Sequence, residues 1–403
     1  MQATTATRTT ARGREEFTEV NLSEKTPLRV QPCRDRRSRH PRHRHCESAT
    51  TKRPTRGTLR CVSSGSRVRT PPTLEEVAAR AGVSRATASR VLRGETNVSE
   101  QAKTSVLAAA QEISYMPNRA ARSLVTGRSD SIAFLVDESE ERMFSDPFFL
   151  GMLRSAQVAV ADVGLQLVFS VTSRPEDHER FISYAAGGHV DGVLLLSLHG
   201  RGKLPQRLEA LGVPTVLSGR PLGGARKLFY VDADNVGGGR IATEFLLSSG
   251  RKVVATVTGP QDMCAGQDRL TGYREALEAA GRKVDAGLIG QGEFTASSGF
   301  EATERLLREH PEIDAVFAAS DLTAIGVMRA IEAAGRSVGD DVAVVGFDDI
   351  AEASQSHPAL TTVRQPISDL GTMMTQRLLE RIGGTTPPRA TILPVELVRR
   401  QSA

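Results

Sequence analysis

The chain has 403 residues, 39% of them hydrophobic, with 36 glycines and a formal net charge of +5. That length and composition predict two or three globular domains with many tight strand–helix connections. No apolar run approaches the ~20 residues that span a bilayer, and no basic-then-apolar N-terminal segment resembles a secretory signal, which excludes membrane-embedded and exported classes and predicts a cytoplasmic protein.

The charge is unevenly spread. Residues 1–70 carry 17 Lys+Arg against 6 Asp+Glu, residues 73–128 carry 8 against 5, and residues 129–403 are left with a net charge of −9. A cationic N-terminal end on an acidic body suits a nucleic-acid binder joined to a ligand module. Residues 1–70 show no apolar periodicity among their Thr, Arg, Ser and Pro, and are expected to form a disordered basic extension. The grouping Cys33, His40, His43, His45, Cys46 matches no structural zinc spacing, so no metal is assigned. With Cys61 also in this segment, Cys264 is the one cysteine left in the folded part, and no disulfide framework follows.

Residues 71–116 read as three helices. Thr73 is placed to cap Leu74–Arg80, with Glu75 and Glu76 in the first turn, where the helix dipole favours negative charge. Gly82 supplies the left-handed residue of a tight helix-to-helix turn, with Val83 as the apolar plug beneath it. Ser84 caps a second helix whose Ala88, Val91 and Leu92 face inward, leaving Arg85, Ala86, Ser89 and Arg90 outward and suited to a major groove. A helical hairpin without a DNA role could share this pattern. A third helix starts after Ser99, runs through Val106, Leu107, Ala110 and Ile113, and ends before Pro117.

Residues 117–128 form a linker in which Asn118 could cap a short helix over Arg119–Val125. So short a helix is unstable alone in water, so either it folds against DNA or the segment is a plain tether. From residue 129 the pattern changes to short apolar strands (Ile132–Val136, Leu165–Val171, Gly192–Leu196, Thr215–Leu217, Val253–Val257, Ala315–Ala318, Val342–Val345). Between them lie amphipathic helices such as Phe149–Val163, Gly238–Ser248, Arg269–Ala280, Gly299–Arg308 and Leu322–Ala334. Near-continuous apolar strands separated by helices mean parallel sheets covered on both faces. Residues 129–403 are too many for one small sheet and predict two lobes with a cleft between them. A ligand is expected beyond the strands' carboxyl ends.

The ordered motifs TLEEVAARAGVSRATASRVLRG, YMPNRAARSL, VVGFDDI and PALTTVRQP make residues 73–400 resemble the lactose-repressor (LacI) family of bacterial transcription regulators. The resemblance implies an all-α helix-turn-helix headpiece, a hinge helix, and an α/β two-lobed core like a periplasmic sugar-binding protein, with two doubly wound parallel sheets. On that likeness the first lobe takes about 129–251 and 366–390, the second about 252–365 and 391–403.

It further implies that Ser84, Arg85, Ala86, Thr87, Ser89 and Arg90 meet phosphates or base edges, with Thr73, Asn97 and Tyr115 beside them. Asn118, Arg119 and Leu124 would enter the minor groove, Leu124 as the wedge that kinks the duplex. Ala86 departs from relatives with a long polar side chain, so only its methyl can meet a base. In the core the implied effector residues are Phe148, Phe149, Arg269, Phe294, Ser320, Asp321 and Asp348. An Arg–Asp pair over an aromatic floor is what a polyol requires. Ser320 stands where many relatives carry asparagine, which puts one ligand hydrogen bond in doubt.

The expected function is a DNA-binding repressor, a cytoplasmic homodimer on near-palindromic operator DNA, controlled by a small-molecule effector of which a sugar is the family's commonest kind. The rival is a solute-binding protein feeding a transporter, which would leave residues 73–93 without purpose. Enzyme chemistry lacks a nucleophile elbow, a phosphate-binding loop or a zinc-spaced His pair, and neither cofactor nor metal is expected.

Overall fold

The computed structural model describes residues 72–95, 97–116, 127–200, 202–223 and 228–403. Helix α1 (Leu74–Ala81) starts from a reciprocal cap: Glu76 N–H donates to Thr73 Oγ1 at 3.3 Å, and Thr73 N–H donates to Glu76 Oε2 at 2.9 Å. It ends at Gly82 with φ 65°, a conformation that disfavours a Cβ. Helix α2 (Arg85–Leu92) is capped by Ser84 and α3 (Glu100–Glu112) by Ser99. Val77, Ala78, Ala88, Val91, Val106, Ala109 and Ala110 make the small core, with Val83 and Leu92 packed against it. Leu107 does not join them and is 49% exposed. The helix steps about 100° per residue, so once Val106, Ala109 and Ala110 set the face, Leu107 falls outside it.

The remainder is α/β. In chain order it runs β1 (Ser131–Asp137), α4 (Glu140–Ser145), α5 (Pro147–Asp162), β2 (Gln166–Thr172), α6 (Pro175–Tyr184), β3 (Gly192–Leu196), α7 (Leu204–Ala210), β4 (Thr215–Ser218) and β5 (Phe229–Ala233). Next come α8 (Asn235–Ser248), β6 (Val254–Val257), α9 (Cys264–Ala279), β7 (Ile289–Gly290), α10 (Ala296–Glu309), β8 (Ala315–Ala318), α11 (Asp321–Ala333) and β9 (Ala343–Asp348). The chain ends with α12 (Ala351–Gln355), β10 (Thr361–Arg364), α13 (Ile367–Ile382), β11 (Ala390–Leu393) and β12 (Glu396–Val398).

Two sheets result, ordered β11-β5-β4-β3-β1-β2 and β12-β10-β9-β8-β6-β7. Every pairing is parallel except β12 on β10, an antiparallel edge. Along β1, Ile132, Phe134 and Val136 enter one core while Ala133 and Leu135 enter the core on the opposite face. Val316 and Ala318 likewise face away from Ala315 and Phe317 in β8. Burial on both faces is why these strands read as unbroken apolar runs.

The lobe boundaries differ from expectation. The chain leaves the first sheet at Asp234, not 251, because α8 packs Ala242 and Leu246 into the second lobe's core beside Val254 and Phe347. It returns at Gln365–Pro366, where α13 adds Leu370, Met374 and Leu378 to the first core. Strand β11 then pairs with β5 through Leu393, so the last crossing follows that residue rather than 390. The strands β5, β7, β10, β11 and β12 went unread in the sequence.

Helices α8 and α9 touch backbone to backbone. A Cβ on Gly272 would lie 2.1 Å from Val236 O, and one on Gly239 would lie 2.2 Å from Arg269 O. Gly272→Ala gains at most ~1 kcal/mol of helix propensity, against ~1–3 kcal/mol for forcing two backbones apart. Urea unfolding should therefore show a net loss of stability.

Candidate functional site

Two groups of residues stand out. In the headpiece, Arg85, Ala86 and Arg90 are exposed on α2, with Thr87 and Ser89 half-buried beside them. Ser84 Oγ accepts from Thr87 N–H at 3.1 Å, which fixes the first turn that would approach a duplex. Arg85 Nε lies 2.5 Å from Glu75 Oε1, both side chains well exposed. Such a pair contributes little and exchanges readily for a phosphate. Thr73 caps α1, exposed Asn97 lies in the loop before α3, and Tyr115 packs against the headpiece core. Asn118, Arg119 and Leu124 lie outside the described residues.

The second group lines a cleft between the two sheets. Its walls are the carboxyl ends of both sheets. Ser218, Gly219, Asp232 and Ala233 come from the first, and Ser320, Asp348 and Gln365 from the second. Strand order reverses between β1 and β3 in one sheet and between β6 and β8 in the other, and such switch points open a crevice for ligands.

Arg269 is the fixed point of the cleft, only 5% exposed. Its Nε donates to Asn235 Oδ1 at 2.9 Å, and its Nη1 donates to Ala319 O at 2.5 Å and to Asp348 Oδ1 at 3.3 Å. The guanidinium lies 3.6 Å from the centroid of the Phe347 ring and 5.3 Å from that of Phe294. Burial lowers the proton affinity of Arg269, and the neighbouring Asp348 charge opposes that.

Asp348 is pushed up by its own burial, with Arg269 pulling it back. Gln365 Nε2 also donates to Asp348 Oδ1, at 2.6 Å, so among the described residues both donors to Asp348 converge on one oxygen. The backbone at Asp348 has φ 117° and at Asp349 φ 60°, strain of the kind found where a fold aims a side chain at a site. Asp349 is turned away and ties Arg364 and Arg400, at 2.7 and 2.6 Å.

Phe294, with φ 58°, lays its ring against Gly259, where a Cβ would come within 2.1 Å of it. Arg142 on α4 sits over this ring at 5.4 Å and is held by Glu138 at 2.7 Å. Asp146 and Asp232 add two more carboxyls. Burial is the largest influence on each and raises both, Asp232 to about 6.

Of the expected effector residues, Phe148, Arg269, Phe294, Ser320 and Asp348 line the cleft, but Phe149 and Asp321 do not. Phe149 is 2% exposed in the first core, since one residue along a helix turns about 100° away from Phe148. Asp321 is sealed behind the wall: Ile350 N–H donates to its Oδ2 at 2.9 Å and the Thr362 hydroxyl to its Oδ1 at 2.5 Å. Its burial, and next the Asp348 charge, raise its proton affinity. Ser320 spends its hydroxyl on capping α11. Sequence reasoning missed Arg142, Asp232, Asn235 and Gln365. Reading β5 as a strand would have nominated Asp232 and Asn235 at its carboxyl end. Among the described residues, no group of His, Cys, Asp or Glu could hold a metal ion, and no helix is long and apolar enough to cross a membrane.

Residues 73–118 match the family described as bacterial regulatory proteins, lacI family, and residues 243–403 match a periplasmic binding protein-like domain. The HTH-type transcriptional regulator CelR of Thermobifida fusca is 48% identical over 333 residues, 82% of this chain and 98% of that one. The chain belongs to the LacI family. This regulator is also 34% identical to the ribose operon repressor of Escherichia coli K12, over 82% of its own length and 99% of the relative's. Among solved structures, a CelR–cellobiose complex matches with TM-score 0.67 and 46% identity, over 82% of this chain and 100% of that chain. A lac repressor dimer bound to operator and the anti-inducer ONPF matches with TM-score 0.72 and 28% identity, over 83% and 99%. The protein is thus a DNA-binding transcriptional regulator of the α/β two-lobed kind, not an enzyme.

Removing the sealed carboxyl separates structure from recognition. Asp321→Ala should cost about 1–3 kcal/mol in chemical unfolding, because Thr362 and Ile350 lose their acceptor. It should change small-molecule affinity far less than Asp348→Ala does, and calorimetric titration of both variants checks this.

Proposed function

We propose that this regulator is a cytoplasmic bacterial repressor that binds operator DNA as a homodimer and answers to an uncharged disaccharide of the cellobiose type held between its lobes. The observation that carries the reading is the buried Arg269–Asp348 pair, with Gln365 behind it and Phe294 beside it, in a chain that is 46% identical to a regulator solved with cellobiose.

The charge pattern of the cleft supports a neutral ligand. Arg269 and Arg142 are each already paired with a carboxylate, at 3.3 and 2.7 Å, while Asp146 and Asp232 add acidic groups to the wall. An anionic ligand would meet neutralised cations and surplus carboxyls. A polyol instead finds fixed acceptors for its hydroxyls and, in Phe148, Phe294, Met263 and Leu370, apolar surface for its ring faces.

On DNA, two headpieces read the two halves of a near-palindrome, since protein symmetry must match operator symmetry. Arg85, Ala86 and Arg90 meet base edges or phosphates, helped by Ser84, Thr87, Ser89, Thr73, Asn97 and Tyr115, while Asn118, Arg119 and Leu124 engage the minor groove. The effector acts by favouring one lobe arrangement, and a coupling of ~1–3 kcal/mol is ordinary for such a switch.

Isothermal titration with cellobiose and with ribose, followed by operator binding with each sugar present, tests the reading. Cellobiose should bind and shift operator affinity while ribose does neither, and a response to ribose alone would overturn the disaccharide assignment. Arg90→Ala should weaken operator binding by about 1–3 kcal/mol at fixed salt, read by fluorescence anisotropy, and an equal loss on random duplex would make Arg90 a phosphate contact. Asp348→Ala should bind operator normally yet no longer respond to cellobiose.

A further inference from the structure

The mouth of the cleft is bridged by a side chain that neither the family likeness nor the effector reading assigns. His199 follows β3 in the first lobe. Its Nδ1 lies 3.0 Å from Asp262 Oδ2, and its Nε2 lies 3.0 Å from Glu138 Oε2. Asp262 belongs to the second lobe, in the loop between β6 and α9, and its carbonyl accepts from Gly200 N–H at 2.7 Å. Glu138 Oε2 also receives the Ser197 hydroxyl at 3.0 Å and Arg142 Nη1 at 2.7 Å. One line of contacts therefore runs from the second lobe through His199 and Glu138 to Arg142 in the cleft wall.

We propose that His199 is a positioning residue for the effector site, clasping the lobes across the cleft mouth as an imidazolium and holding Glu138 and Arg142 in place behind it. This rests on reading the cleft as the effector site. A neutral imidazole has one N–H and one acceptor nitrogen, whereas ionised carboxylates only accept. Two ring nitrogens against two carboxylates can both bond only when both carry hydrogen, so loss of one proton breaks one side of the clasp.

The charged groups around the ring are Glu138 and Asp262 on its two sides, with Arg142 beyond Glu138. Donating a hydrogen bond to Glu138 raises the proton affinity of His199, its partial burial opposes this, and Asp262 adds to the rise. Burial raises Glu138, but His199, Arg142 and the Ser139 N–H outweigh it and hold the carboxyl at about 2. Parting of the lobes would remove Asp262 and lower the imidazole's proton affinity, so closure takes up protons between the two values. The clasp is complete at pH below the ordinary histidine value and is lost as pH rises through the raised one. A second cross-cleft pair, Arg220 Nη2 to Asp268 Oδ1 at 2.6 Å, contains no imidazole and serves as the control.

The test is the pH dependence of cellobiose affinity in the full chain, by calorimetry from about pH 6 to about pH 9. Wild type should weaken by about three- to tenfold across that range, in keeping with a partly exposed ion pair. His199→Gln and Asp262→Asn should have a shallower slope than wild type and bind more weakly at the acid end, the remaining slope being that of Asp232 and Asp348 in the cleft wall, while Arg220→Gln keeps the full wild-type slope. A wild-type slope in His199→Gln would overturn the clasp. Nitrogen NMR of the His199 ring reads the same claim without ligand: both nitrogens should be protonated at about pH 6, at a proton affinity that falls in Asp262→Asn. A neutral ring at that pH would overturn it. If the ring behaves as stated while wild type ignores cellobiose at every pH, the clasp stands and the disaccharide reading fails.

Discussion

A guanidinium with almost no water around it sets the terms for the core. Arg269 sits on a helix that meets its neighbour at glycines, and its donors end on Asn235, Ala319 and Asp348, which come from three separate elements. Breaking the buried ion pair would cost ~3–5 kcal/mol and stranding either neutral acceptor ~1–3 kcal/mol, so α8, the end of β8 and the end of β9 are held to one geometry. Phe347 packs flat beneath the cation at 3.6 Å and closes the remaining space. The same requirement explains the unusual backbone at Asp348 and Asp349. One carboxylate is turned into the cleft and the next is turned out to Arg364 and Arg400. One set of bonds thus holds three elements of the second lobe together and shapes its wall of the cleft.

The sequence was legible where one physical requirement dominated. The headpiece could be read because caps, a left-handed glycine and helical spacing all agree within a few residues of Thr73, Gly82 and Ser84. The central strands could be read because burial on both faces leaves only apolar choices, as in Ile132–Val136. The failures lie where two requirements compete. Strand β10 reads Thr-Thr-Val-Arg and buries Thr361 and Thr362 completely. It does so by finding partners in Ser402 and Asp321 that no local pattern announces. Strand β12 is an edge, half exposed and without an apolar run.

The site divided in the same way. Arg269, Phe294 and Asp348, which line the cleft, were nominated through motif likeness. Asp321 was misassigned because a carboxylate at the start of a helix looks alike from sequence whether it faces a ligand or a buried threonine. Phe149 shows the opposite hazard: adjacent aromatics invite a joint role, yet the helix sends one to the cleft and the other to the core. Asp232, Asn235 and Gln365 depend on where the chain changes lobes, and that is decided by long-range packing of α8 and α13, which the local pattern does not carry.

The two lobes meet through contacts of contrasting character. Arg220 and Asp268 pair a guanidinium with a carboxylate at 2.6 Å, with no imidazole proton to lose. His199 holds Asp262 and Glu138 together only while both ring nitrogens carry hydrogen, a state that the two carboxylates stabilise. A switch responds to a ligand only through the difference in affinity between its two states, and an ionic contact that forms in one state alone enters that difference directly. Strengthening it favours closure with or without a sugar and raises affinity, but it also narrows the range over which the sugar can change the balance. A contact of modest strength, partly exposed and sensitive to protons, leaves most of that decision to whatever the cleft binds while still fixing Arg142 in its wall.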